Sequence, residues 1–150
     1  MSIRIQTEDF DLSDELNGMR DGHHDIGAIV SFLGTVRDIH GDETVLSMEL
    51  EHYPGMTELA LQEIADEAYR RWDIVDSRII HRVGKLKPSD RIVLVAVASR
   101  HRGEAFRACE YIIDMLKTRA PFWKKEETAE GVRWVEAKMS DLDELDKWKK

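Results

Sequence analysis

Apolar residues recur along this chain at two spacings, every second position or every third to fourth, and each change of spacing marks a new element. Ile3 and Ile5 alternate with polar neighbours, which predicts a short strand. Over 11–20, Leu12, Leu16 and Met19 fall at helical spacing, and Ser13 can cap that helix. Residues 26–36 are rich in β-branched side chains and predict a long strand, with Gly27 and Gly34 inside it. Glycine within a strand points to a bulge or a close backbone approach. Residues 38–44 are polar and read as a mobile loop, whereas 45–52 alternate cleanly, with Leu46, Met48 and Leu50 on one face. A turn at Tyr53, Pro54 and Gly55 precedes a long helix capped by Thr57. Leu61, Ile64, Ala65, Ala68 and Trp72 form its apolar stripe.

Residues 78–83 predict another strand, and 85–90 a loop around Pro88. Residues 91–98 are almost all apolar, as in a strand covered on both faces. A third helix is expected over 103–117, with Phe106, Cys109, Ile113 and Leu116 inward. Pro121 disfavours helix at Ala120 and so closes it. Residues 132–135 form a short strand, and the charged segment from Lys138 onward reads as loose unless a partner orders it. The order β-α-β-β-α-β-β-α-β is mixed without strict alternation. It predicts an α+β fold with a mixed, mostly antiparallel sheet.

Composition narrows the function. A chain of 150 residues is most simply one domain with a real core. Its net charge of −8 argues against a general nucleic-acid binder, which needs a broad basic face. The single cysteine, Cys109, rules out an internal disulfide and suits a reducing, cytoplasmic setting. The N-terminus has no apolar signal core, and the longest apolar run, 92–98, is far too short to span a membrane.

On this acidic background one stretch stands out. Residues 117–126 read Lys-Thr-Arg-Ala-Pro-Phe-Trp-Lys-Lys-Glu, with Lys117, Arg119, Lys124 and Lys125 around two aromatic rings and Glu126 at the end. Such a knot suits an anionic ligand or an activated amine. A helix C-terminus complementing its dipole accounts for Lys117 and Arg119, but not for Phe122 and Trp123. A second cluster, Ser99 to Gly103, sits where a strand passes into a helix, so His101 and Arg102 either grip an oxyanion there or make surface ion pairs. These clusters bracket one helix, about 20 Å long at 1.5 Å per residue, so a single small ligand reaches both only if a second subunit supplies one of them. Gly34, Thr35, Val36 and Arg37 end the long strand, where Arg37 offers another anion contact or a solvated strand end. Cys109 lies on an apolar helix face and reads as inert core. The six histidines show no zinc-ligand spacing, no glycine-rich phosphate loop is present, and neither a metal nor a cofactor is implied. Glu49, Glu51 and His52 fit an exposed strand face better than an acid/base group. Trp134 and Trp148 read as packing residues.

With those residues in hand, the chain resembles the catalytic, large subunit of molybdopterin synthase over about 3–137. The resemblance rests on four stretches: Leu50-Glu51-His52-Tyr53-Pro54-Gly55-Met56-Thr57-Glu58, His81-Arg82-Val83-Gly84, Ser99-Arg100-His101-Arg102 and residues 117–126. It implies a hammerhead-type α/β fold with a small extra β-subdomain, spanning 1–137 and followed by a charged tail at 138–150. It implies a homodimer in which each copy binds a ubiquitin-like small subunit with a C-terminal thiocarboxylate, giving a heterotetramer. The acceptor would be cyclic pyranopterin monophosphate, converted to the dithiolene of molybdopterin. By the same resemblance Lys117 and Lys124 are catalytic. Thr35, Val36, Arg37, His101, Arg102, Lys125 and Glu126 surround the substrate. The position after Ala137 is often arginine in the family, whereas Lys138 here keeps the charge without a two-pronged grip. Two rival readings are a non-catalytic docking module for a Gly-Gly tail and an unrelated phosphate-ester enzyme.

Overall fold

The computed structural model describes residues 1–40, 43–135 and 145–149. Its first sheet follows the apolar pattern closely. β1 (Ser2–Gln6), β2 (Ala28–Thr35), β5 (Asp76–Arg82) and β7 (Arg91–Ser99) pair in the order β1-β5-β7-β2, with only β1 and β5 parallel. Every side chain from Val93 to Ser99 is buried, because β7 lies between two cores. Its odd-numbered residues Val93, Val95 and Val97 pack against α2 (Met56–Arg71) and α3 (Arg102–Arg119). Leu94, Ala96 and Ala98 face Phe10 and the Met19 end of α1 (Leu12–Arg20). This two-sided cover explains why alternation is absent from β7.

The second sheet is the added β-subdomain. β3 (Ile39–His40), β4 (Glu43–His52), β8 (Phe122–Thr128) and β9 (Gly131–Val135) run in that order, and β6 (Gly84–Leu86) also pairs with β4. The mixed, mostly antiparallel α+β architecture is as expected. Several of its parts are not. β8 occupies the segment read only as a cationic knot, and β6 lies in a stretch read as loop. β3 occupies part of the expected 38–44 loop, of which residues 41–42 lie outside the described residues. Ladder pairing to β4, not apolar alternation, makes β8 and β6 strands. Leu46 is 52% exposed and off the Met48 and Leu50 face, because a register shift between Val45 and Ser47 interrupts the alternation.

Helix boundaries differ in detail. Asp11, not Ser13, caps α1, its carboxylate accepting from the Asp14 N–H at 2.9 Å. Gly55 is the N-cap of α2 at φ 88°, a conformation open to glycine, and its N–H donates to Glu58. Thr57 is one residue inside that helix. On α3 the inward face is Ala105, Ala108, Cys109, Ile112, Met115 and Leu116, whereas Phe106, expected inward, is 60% exposed. The small side chains of Ala105 and Ala108 let the helix lie close on the sheet and turn Phe106 away. Residues 145–148 are docked, contrary to the expected loose tail. There Trp148 meets Trp72 at 5.6 Å and Tyr111 at 5.4 Å, and its indole N–H donates to Asp114 at 2.7 Å. Among the described residues no helix is long and apolar enough to cross a membrane.

Candidate functional site

α3 leaves the end of β7 and folds back along it, since Cys109 Sγ lies 3.6 Å from the Val95 carbonyl. Its last turn therefore arrives at the end of the sheet where β2 finishes at Thr35 and β7 begins at Arg91. Lys117, exposed in that last turn, and Arg37, exposed just beyond β2, share this end of the molecule. Val36 is not a surface contact. It is 3% exposed among Met48, Leu50 and Leu86, its N–H bonded to Asp90 and its carbonyl to Ser89. Thr35 is exposed.

The chain then turns at Ala120 and Pro121 into β8. Thr57 secures this turn. Its Oγ1 accepts from the Tyr53 N–H and donates to the Pro121 carbonyl, both at 2.9 Å. The pleat of β8 separates the two adjacent lysines that the sequence places together. Lys124 pairs in register with buried Leu50 and shares a face with Phe122 and Glu126. Lys125 falls on the other face, opposite Glu49, with its Nζ 4.8 Å from the centre of the Trp134 ring. Glu126 is 2% exposed, opposite Met48 and Arg133, and is part of the wall rather than the surface.

The first sheet contributes a residue that sequence reasoning did not select, His81 near the end of β5. It is 5% exposed and stacks on Phe122 at 3.8 Å and 15°. Its Nδ1 donates to the Arg82 carbonyl at 2.8 Å. Burial, followed by the positive charges of Lys117, Lys124 and His52, lowers its pKa to about 4, against the opposing pull of the Arg82 carbonyl. Lys117 from α3 and Lys124 from β8 thus converge electrostatically on one imidazole. The only signal for His81 in the sequence was its place in the His81-Arg82-Val83-Gly84 stretch.

The other predicted cluster lies elsewhere. His101 is the N-cap of α3 and Arg102 its first residue, both exposed. Gly27 supports this turn. A Cβ on it would sit 2.1 Å from the Arg100 carbonyl, and its N–H donates to Ser99 at 2.9 Å. The 15 residues from Arg102 to Lys117 span about 22 Å of helix, so one chain does not bring the two clusters together. An open cleft of about 790 Å³, lined by Asn17, Arg20, His23 and Gly27 among others, adjoins α1 and contains none of the predicted site residues. Lys138 lies outside the described residues. Cys109 is buried, and burial raises its thiol to about 12, so it is an inert core residue. Among the described residues no cluster of His, Cys, Asp or Glu is arranged to hold a metal ion.

This arrangement offers two cations and a neutral imidazole at one end of a helix, suited to an anionic guest. Comparison with known proteins gives it context. The MoaE protein family matches residues 5–119. A molybdopterin synthase catalytic subunit from Ralstonia nicotianae is 60% identical over 147 residues, 98% of this chain and 84% of that one. A Burkholderia ambifaria structure, a molybdopterin biosynthesis MoaE protein, superposes with a TM-score of 0.84 at 55% identity, covering 98% of this chain and 97% of that one. A structure described as a protein–protein complex of subunits 1 and 2 of molybdopterin-converting factor from Helicobacter pylori shares the fold. Its TM-score is 0.72 at 19% identity, over 91% of this chain and 90% of that one.

Proposed function

This chain belongs to the MoaE protein family, and on that premise we propose that it is the catalytic subunit of molybdopterin synthase, acting as a sulfurtransferase. The donor is the thiocarboxylated C-terminus of a ubiquitin-like small subunit, and the acceptor is cyclic pyranopterin monophosphate. In each transfer the thiocarboxylate sulfur bonds to a pterin carbon, which sheds an oxygen substituent, and the tail is left joined to the pterin as a thioester. Water then adds to the acyl carbon and breaks its bond to sulfur, so the sulfur stays on the pterin and the tail ends as a carboxylate. Two transfers give the dithiolene.

The placement of Lys117 in the last turn of α3, and of Lys124 on β8 on the same face as Phe122, whose ring stacks on His81, carries this reading. Lys117 is the general acid/base or electrostatic stabiliser at the sulfur-transfer centre, and Lys124 orients the tail terminus. Arg37, at the same end, holds the precursor phosphate. Lys125, braced on Trp134, and Lys138 add positive charge around the pterin, Thr35 lines its rim, and buried Glu126 backs the strand that presents Lys124. His101 and Arg102 join from the second copy of a homodimer, since the length of α3 keeps them out of their own chain's site. With two small subunits the assembly is a heterotetramer, housed in the cytoplasm, as the lone reduced cysteine suits.

The direct test mixes the chain with thiocarboxylated small subunit and precursor and assays dithiolene. Lys117→Ala is expected to abolish product while the subunits still associate, and near-normal turnover would overturn the assignment. The exposed Tyr53 and Trp123 rings, 6.4 Å apart, also suit a docking module without chemistry. A precursor-dependent rise in melting temperature of the isolated chain separates the two, because a docking module has no use for the pterin.

A further inference from the structure

Among the described residues β2 closes its sheet, paired with β7 on one side and with no strand on the other. Its residues, Ala-Ile-Val-Ser-Phe-Leu-Gly-Thr, hold no charge and no proline, and its register shift comes only at the last step, between Gly34 and Thr35. Such an edge lacks the devices that keep the sheets of separate molecules apart. On the face that α1 covers over β5 and β7, Ser31, Leu33 and Thr35 are exposed. The helix above is unfinished in the same direction. α3 lies over both β7 and β2, and Tyr111 on one flank of it meets Trp72, just past the end of α2, at 5.4 Å. The opposite flank looks along the sheet towards the bare edge. At 3.6 residues per turn that flank carries Arg102, Phe106, Ile113 and Lys117, with Phe106 60% exposed.

Resting on the functional reading above, we propose that two copies of this chain join along β2, edge to edge and antiparallel, about a twofold axis beside Phe32, with their α3 helices side by side over one continuous sheet. Strand and helix agree on that axis. Reversing α3 about its middle, between Cys109 and Glu110, exchanges Arg102 with Lys117 and Phe106 with Ile113. Cys109 lies over Val95, and Val95 pairs with Phe32 in the middle of β2. An antiparallel pair centred there sets Phe32 opposite its own copy and Ser31 opposite Leu33 of the second copy. Strands about 4.8 Å apart put the two helices about 10 Å apart, a normal packing distance. β2 starts at Ala28, beside Ser99 and the Arg102 turn, and ends at Thr35, beside Arg37 and the last turn of α3. The pairing therefore brings Arg102 of one copy to Lys117 and Arg37 of the other, and the twofold axis repeats this at the second site. Phe106 and Ile113 supply an apolar middle. The cationic ends repel one another until an anion lies between them, and the precursor phosphate and the thiocarboxylate are such anions.

The test uses the full chain. Sedimentation equilibrium is expected to give a dimer for the wild type and for Val132→Glu, which puts a charge on an exposed apolar position of β9 in the second sheet. Leu33→Lys and Phe106→Glu, also at exposed positions, are expected to weaken the dimer at least about 100-fold while circular dichroism stays native. With thiocarboxylated small subunit and precursor, their dithiolene formation falls with the dimer fraction and returns at higher protein concentration. Oxidised Ser31→Cys/Leu33→Cys is expected to run as a covalent dimer without reductant. This cross-link puts no charge on the sheet, so it decides the case if a charge variant loses its fold. A monomeric wild type, a dimer that survives both Leu33→Lys and Phe106→Glu, a Val132→Glu chain that dissociates as readily, or an absent cross-link overturns the proposal. Wild-type turnover by monomeric Phe106→Glu overturns the sharing of the site. A wild-type dimer that cross-links yet makes no dithiolene leaves the β2 pairing intact and fails the functional reading instead.

Discussion

The two ends of α3 both carry cations, yet they are built differently. At the C-terminal end, the charges of Lys117 and of Lys124 on β8 act together on the buried imidazole of His81 on β5, which stacks on Phe122 of β8. At the N-terminal end, His101 and Arg102 stand exposed on a turn held by Gly27, Ser99 and Asp73. The first is a formed wall, and the second is a surface waiting for something opposite it. A helix can display charge at either end through its dipole and free backbone groups. Only convergence of several elements turns charge into a site with direction.

That contrast can be broken in graded ways. The largest effect is expected at the walled end. Lys117→Ala should lower dithiolene formation about 100- to 10,000-fold, the range for loss of a general acid or base, with small-subunit binding retained in a pull-down. The next test asks whether the open end serves a neighbour. Lys117→Ala and Arg102→Ala protomers, each inactive alone, should recover about a quarter of wild-type activity when co-refolded, because half the dimers then hold one intact composite site. No recovery would place both ends in separate roles.

Two stability tests follow, of similar size. Gly27→Ala drives a Cβ into the Arg100 carbonyl and should cost about 3 kcal/mol by urea denaturation, with the damage centred on the Arg102 turn. At the other end, the lowered pKa of His81 sets a pH dependence. The unfolded chain takes up a proton near 6.5, whereas the folded chain resists until about 4. Stability is therefore full above pH 6.5, declines as the pH falls, and levels off below 4, for a total loss of about 3 kcal/mol. Urea midpoints at pH 7 and 4.5 should show this decline in the wild type and a weaker one in His81→Phe. The smallest effect is expected between the two ends. Cys109→Ala should keep full activity and lose about 1 kcal/mol, and the native thiol should resist alkylation until the chain unfolds.

Much of this protein was legible in its residues alone. The unbroken apolar run of β7 foretold a strand covered on both faces, the helical stripe of α2 foretold its buried side, and residues 117–126 stood out by concentrating cations on an acidic chain. The quoted stretches pointed to the family that the comparisons show. These features survive because burial and charge density are local properties, written in the order of side chains. Other features depended on what lies opposite. β8 is a strand because β4 offers it a ladder, and the pleat then sends Lys124 and Lys125 to opposite faces. Phe106 turned outward because Ala105 and Ala108 allowed a closer helix, and Trp148 found a seat between Trp72 and Tyr111. His81 became singular only when β5, β8 and α3 met, since an imidazole's protonation and bonding follow from its neighbours in space rather than in sequence.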